Sequence, residues 1–252
     1  MKKTLSYILA IVVCLATLCG CGDTPSGGQT TDGPRDSVML RNALGMQTTD
    51  PADTNETDVL TVNEQIYEGL YTLDESGGGY QPCLAKQIDI SDDATVYTIT
   101  LQDGVKFHNG ETLKASDVVF SYQHFMDNPK YNSYTDMIEK VEASDDSHVV
   151  ITIARPYSPI LHTFFKIKIL SEKEVTSQGS DFGTIANLAG TGPYYMDAET
   201  YRPNSGWTLY AFEDYWQGAP QIKKIGYVVI EDKSSAVIAL KNGDIDYLSV
   251  PL

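Results

Sequence analysis

Cysteine is scarce in this chain: there are four in 252 residues, and Cys14, Cys19 and Cys21 fall within the first 21 positions. Cys83 stands alone beyond them, so the body of the protein has no intramolecular disulfide and no cysteine metal cluster. Its stability must come from a core, which 42% hydrophobic residues over this length can build. Basic residues are also few, 18 Lys and Arg against 34 Asp and Glu, for a formal charge of -16. Such a surface repels phosphate backbones and anionic headgroups, which disfavours nucleic acid and peripheral membrane binding. The four histidines, His108, His124, His148 and His162, include no pair at i,i+3 or i,i+4 that would build a metal site on one helix face. A nucleophile elbow, a P-loop and a glycine-rich nucleotide fingerprint are all missing. Neighbouring carboxylates such as Asp92 with Asp93, Asp145 with Asp146 and Asp244 with Asp246 stand in turn contexts, where Asp bonds its own backbone, so they do not imply an acid–base dyad. The residues point to no cofactor, no metal and no enzyme.

A long apolar run is lacking as well. Residues 5–18 are almost wholly apolar, broken by Ser6, Tyr7 and Thr17, and fall short of the about 20 residues that cross a bilayer as a helix. With Lys2 and Lys3 ahead of them they read as the h-region of a secretory signal. The run closes on Leu18-Cys19-Gly20-Cys21 and then turns polar, which resembles the lipobox of bacterial lipoproteins, although Cys19 stands where Ala or Ser is usual. That resemblance implies a signal peptide over residues 1–20, removed by cleavage, and a diacylglycerol on Cys21. Two or three acyl chains there hold a protein on the outer face of the cytoplasmic membrane, where a single chain is marginal. Residues 21–37, rich in Gly, Ser, Thr, Asp and Pro, make a flexible linker.

Residues 38–252 mix helical and strand patterns without repeats. A first strand is predicted over 38–44. Residues 58–70 carry Val59, Val62, Ile66, Tyr67 and Leu70 at helical spacing, with Asn55 or Thr57 as the cap. Strands are also predicted at 96–101, at 105–108, on both sides of Asp145-Asp146-Ser147, at 207–212 and at 225–230; turns fall at Gly77-Gly78-Gly79, Asp103-Gly104 and Asn109-Gly110. Helices are predicted over 116–126, 157–165 and 234–240, with Asp117 favoured by the helix dipole in its first turn. The pattern is α+β or α/β with several small sheets. Sixteen tyrosines, with Trp207 and Trp216, offer flat contact area suited to a cleft, although each one alone reads equally as packing.

Eight blocks then occur in a fixed order. They are Tyr67-Glu68-Gly69-Leu70; Pro82, Leu84 and Ala85 before Ser91-Asp92-Asp93; Tyr97-Thr98-Ile99-Thr100-Leu101; and Gly104-Val105-Lys106-Phe107-His108-Asn109-Gly110. Ala115-Ser116-Asp117-Val118-Val119-Phe120-Ser121, Gly190-Thr191-Gly192-Pro193-Tyr194, Tyr215-Trp216-Gln217-Gly218-Ala219-Pro220 and Ala239-Leu240-Lys241-Asn242-Gly243-Asp244-Ile245-Asp246 follow. Together they resemble the extracytoplasmic solute-binding proteins of the peptide/nickel class, which serve ABC importers. The resemblance implies a periplasmic-binding-protein-like two-lobe fold of the class with an extra subdomain. Residues 38–252 would make most of the first lobe, with the second lobe missing. Family members are considerably longer, so a fragment or truncated product is expected, unable to close a cleft and weak in binding.

The same resemblance implies an oligopeptide or dipeptide ligand and, as partners, an ABC permease with its ATPase subunits. It places Asn55, Glu56 and Thr57 where the family offers backbone groups to extended peptide, and Tyr134 where it presents an aromatic. The residues that fix peptide termini would lie in the missing lobe. Nickel chelate, haem or oligosaccharide stay open as cargo, as does a surface adhesin or peptide sensor that needs no importer.

Overall fold

The computed structural model describes residues 35–184 and 190–248. Two four-stranded sheets, each with its own core, organise these residues, and a two-stranded hairpin lies between them in sequence.

The first sheet gathers the two ends of the described chain. Its order is β1 (Ser37–Asn42), β10 (Lys224–Val229), β9 (Gly206–Ala211), β8 (Tyr194–Met196). β1 runs parallel to β10, with Val38 opposite Ile225, while β10 and β9 are antiparallel, with Tyr227 opposite Trp207. Side chains alternate across a strand, so Trp207, Leu209 and Ala211 share the buried face of β9. The Trp207 and Tyr227 rings stack at 5.6 Å. Helix α1 (Thr57–Ile66) covers this face through Val59, Val62 and Ile66, the spacing of one helical stripe.

The second sheet, β4 (Ala85–Ile90), β5 (Val96–Leu101), β7 (His148–Ile153) and β6 (Ile138–Ala143), is antiparallel throughout. Tyr97, Ile99 and Leu101 on β5 and Val149, Ile151 and Ile153 on β7 are all buried. Helix α2 (Ala115–Met126) lies over them with Val118, Tyr122 and Phe125. Each such side chain contributes about 1.5–3 kcal/mol on full burial, which is why this core stands without a disulfide. The chain between α2 and β6 forms a short helix α3 (Asn132–Thr135), and after β7 come α4 (Ile160–Lys166) and α5 (Glu172–Gln178). A last helix, α6 (Lys233–Asn242), ends on Gly243 at φ 80°. Between the sheets, β2 (Tyr71–Leu73) pairs with β3 (Tyr80–Pro82) across the Gly77-Gly78-Gly79 turn.

Most predicted elements are present, with three departures. The helix predicted to reach Leu70 stops at Ile66 because Gly192 N–H takes the Ile66 carbonyl at 2.9 Å. Gly190 and Gly192 pack so closely that a Cβ on Gly190 would sit 2.0 Å from that carbonyl oxygen. The cap of α1 is Glu56, not Asn55 or Thr57, and no side chain caps it; Thr57 is the first helical residue. Residues 105–108 make no strand. They form a loop tied back by Phe107 N–H to the Glu111 carbonyl and a lone bridge between Lys106 and Thr112.

Candidate functional site

Cys21 lies outside the described residues. The other four candidates fall on two segments that the structure brings together. Ahead of α1, residues 50–56 run as a chain of tight local bonds. Ala52 N–H donates to Asp50 Oδ1 at 2.8 Å, and Glu56 N–H donates to Thr54 Oγ1 at 3.2 Å. Pro51 and Ala52 are buried, while Asn55, Glu56 and Thr57 face solvent. Because α1 has no side-chain cap, its first-turn N–H groups stay open at that surface, as the first four of any helix do when nothing satisfies them.

Tyr131 fixes this segment. Its buried hydroxyl donates to the Pro51 carbonyl at 2.8 Å and leans toward the Thr54 carbonyl at 3.3 Å. Burial, with Tyr134 and Asp50 nearby, raises its pKa and keeps it a donor. Lys130 adds an ion pair to Asp53 at 2.6 Å, exposed and therefore weak. His124 Nε2 meets Asp50 Oδ2 at 2.9 Å from α2. Tyr134, half-buried on α3, has its ring 5.8 Å from that of Tyr131. Tyr131 thus connects Tyr134 to the segment that runs into Asn55, Glu56 and Thr57.

An aromatic row continues from Tyr134. His162 lies 5.4 Å from it, Tyr80 lies 5.6 Å from His162, and Phe165 lies 5.7 Å from Tyr80. The Tyr80 hydroxyl donates to His162 Nδ1. Burial, then Lys166, lowers the His162 pKa, so the ring is neutral and can accept that bond at neutral pH. The row comes from three separate stretches of sequence, α3, α4 and β3, and no local spacing announces it.

A second convergence holds the two sheets' elements together. Glu68 is buried at the exit of α1. It accepts the Tyr215 hydroxyl at 2.7 Å, Trp216 Nε1–H at 3.0 Å and the Cys83 thiol at 3.5 Å. Burial raises its pKa, and these donors partly offset the rise by favouring the carboxylate. Burial and Glu68 push the Cys83 thiol well up, so it is an unreactive donor. Next to this cluster, His108 Nε2 donates to the Gly192 carbonyl at 2.9 Å while its Nδ1 accepts Gly190 N–H at 3.3 Å, the pattern of a neutral Nε2–H tautomer. Among the described residues no three His, Cys, Asp or Glu side chains cluster as metal ligands.

Comparison with known proteins bears on this arrangement. The family model for bacterial extracellular solute-binding proteins, family 5 (Middle), matches residues 79–252. The glutathione-binding protein GsiB of Salmonella typhimurium (strain LT2) is 31% identical over 218 residues, covering 83% of this chain and 41% of its own length. NikZ from Campylobacter jejuni, solved in complex with Ni(L-His), shares 30% identity with a TM-score of 0.73, over 84% of this chain and 43% of that one. Listeria monocytogenes OppA bound to peptide superposes with a TM-score of 0.76 at 24% identity, over 84% of this chain and 46% of its own, a likeness of fold alone. The chain therefore spans less than half the length of the relatives it matches. Its mixed α/β architecture is that of most of the first lobe of their periplasmic-binding-protein-like fold.

Proposed function

This chain belongs to the family 5 bacterial extracellular solute-binding proteins, and from that premise we propose that it is the lipid-anchored receptor of an ABC importer for short peptides. Supporting the ligand class are the exposed Asn55, Glu56 and Thr57 at the start of α1, and Tyr134, whose ring lies 5.8 Å from that of Tyr131. An uncapped helix start supplies backbone donors, and the segment beside it is held rigid by the Tyr131 hydroxyl. An extended peptide carries carbonyls along its whole length that suit such donors, and Tyr134 gives its side chains an aromatic surface. Backbone recognition of this kind is tolerant of side-chain identity, as an importer of mixed peptides needs. Glutathione, named for the GsiB relatives, is itself a short peptide.

The anchor is the other half of the proposal. Residues 1–20 act as the signal peptide, Cys21 carries the diacylglycerol, residues 21–37 lift the protein off the outer face of the membrane, and residues 38–252 belong to the solute-binding lobe. The delivery partners are a permease and its ATPase subunits.

Calorimetry on the full-length gene product with peptides of two to five residues, glutathione and a nickel–histidine chelate tests the ligand class. Saturable peptide binding is expected; binding of the chelate alone overturns the peptide reading. For the anchor, metabolic labelling with a radioactive fatty acid should mark the wild type and not Cys21→Ala, which should be released from membranes. Label retained in Cys21→Ala refutes that assignment.

A further inference from the structure

Beside the Glu68 cluster lies a cavity of about 460 Å³, walled by the last turn of α1, the β2–β3 hairpin, Phe165 and Lys168, with Tyr215 and Gln217 closing one side. That is within the range of small-molecule sites, roughly 300–1,000 Å³. Lys168 lines it and is only 8% exposed. Seven other lysines, Lys86, Lys106, Lys114, Lys130, Lys140, Lys173 and Lys223, each reach a carboxylate, and all of them are far more exposed. Lys168 makes no hydrogen bond or ion pair through its ammonium to any described residue. Its ammonium lies over the face of Phe165, 4.4 Å from the ring centre, a ring that Lys166 also approaches at 5.5 Å. Burial lowers its pKa to about 8, against a smaller opposing pull from Glu64.

Glu68 makes no ion pair with Lys168; its oxygens accept from Tyr215, Trp216 and Cys83, and it pulls on Lys168 less than Glu64 does. Glu64, half-buried on the cavity wall, likewise has no hydrogen bond or ion pair to a described residue. Glu75 stands exposed at the rim. Lys168 thus feels Lys166 and the acids Glu64 and Glu68, and Glu75 adds a third acid at the cavity rim. A simple anion meets three acids, and a simple cation leaves a buried ammonium unpaired, which is costly. A small zwitterion satisfies both signs at once.

We propose that this cavity is a second ligand site that takes a free α-amino acid, its carboxylate on Lys168 and its ammonium on Glu64. The site is independent of the peptide face, for the two lie at opposite ends of α1, which is about 15 Å long.

The test is calorimetry on the full-length gene product with free glycine, alanine, glutamate, lysine and arginine, paired with NMR of lysine side chains to follow the Lys168 ammonium. At least one amino acid should bind saturably. Lys168→Met, which keeps the stem and removes the charge, should weaken that binding roughly tenfold or more, as losing a charge-assisted pair does. Glu64→Gln should weaken it too, and neither variant should alter peptide binding. The Lys168 pKa should rise when the amino acid binds. If no amino acid binds, or if binding survives Lys168→Met, the proposal fails. Should Lys168→Met not fold, an unchanged Lys168 pKa in wild-type protein saturated with amino acid also overturns it. Loss of peptide binding in a chain that still binds amino acid refutes the peptide reading and leaves this one standing.

Discussion

Replacing Glu68 by Gln changes one atom of the side chain and should damage the fold measurably. The carboxylate accepts from three protein donors, with Tyr215 and Cys83 on Oε1 and Trp216 on Oε2. An amide has one oxygen. If that oxygen stays with Tyr215 and Cys83, the NH₂ faces Trp216 Nε1–H, donor against donor. In the flipped arrangement Trp216 is satisfied, and the NH₂ faces the Tyr215 hydroxyl, which must turn and find another acceptor. Either way one buried donor goes unpaired, a loss of about 1–3 kcal/mol. The pH dependence adds a second signature. Burial raises the Glu68 pKa above its ordinary 4.5 in the folded state. Between the unfolded and folded values the native protein therefore holds more protons than the unfolded chain. Stability must then fall as pH rises through that window, by the linkage between proton uptake and unfolding. Glu68→Gln removes that component. The assay is urea unfolding of both proteins across pH 4.5 to neutral, followed by Trp fluorescence and far-UV circular dichroism together, because two cores need not unfold in one step. A variant as stable as wild type at neutral pH, with the same pH profile, refutes the reasoning.

Three further substitutions separate packing from positioning. Gly190→Ala puts a Cβ 2.0 Å from the Ile66 carbonyl oxygen; it should cost about 3 kcal/mol or more or prevent folding, by chemical denaturation. Gly104→Ala meets open space at φ 71° and should cost only about 1 kcal/mol. Tyr131→Phe removes the hydroxyl that holds the Pro51 and Thr54 carbonyls. A stability loss of about 1–2 kcal/mol is expected with faster amide exchange over residues 52–57, and unchanged exchange there contradicts the positioning role.

Much of the fold was legible because its signals are local. The alternation of residues 96–101, the Asp145-Asp146-Ser147 turn and the stripe of Val59, Val62 and Ile66 each lie within a dozen residues, and each formed the expected element. Helix α5 went unread although Ser171 and Glu174 stand at capping-box spacing, and the Ser171 side chain does accept Glu174 N–H at 3.2 Å. The end of α1 was misplaced because Gly192, more than 120 residues away in sequence, takes the Ile66 carbonyl. The candidate site shows the same division. Asn55, Glu56, Thr57 and Tyr134 were candidates from the family resemblance, yet Tyr131, which ties Tyr134 to the segment ahead of α1, carries no sequence mark beyond its neighbour. The Glu68 cluster and the His162 row draw on segments that only tertiary packing brings together. Geometry shows how Tyr67-Glu68-Gly69-Leu70 and Tyr215-Trp216 work together: one supplies the acceptor for the other.

The peptide face is the central claim, and an NMR titration of the folded chain with a tetrapeptide addresses it most directly. Backbone amide shifts should concentrate on Asn55, Glu56, Thr57 and the Tyr134 region, and Tyr134→Ala should weaken the effect roughly tenfold, the worth of one aromatic stacking contact with its buried area. Shifts that fall elsewhere, or a titration indifferent to Tyr134→Ala, contradict the assignment of this face to peptide.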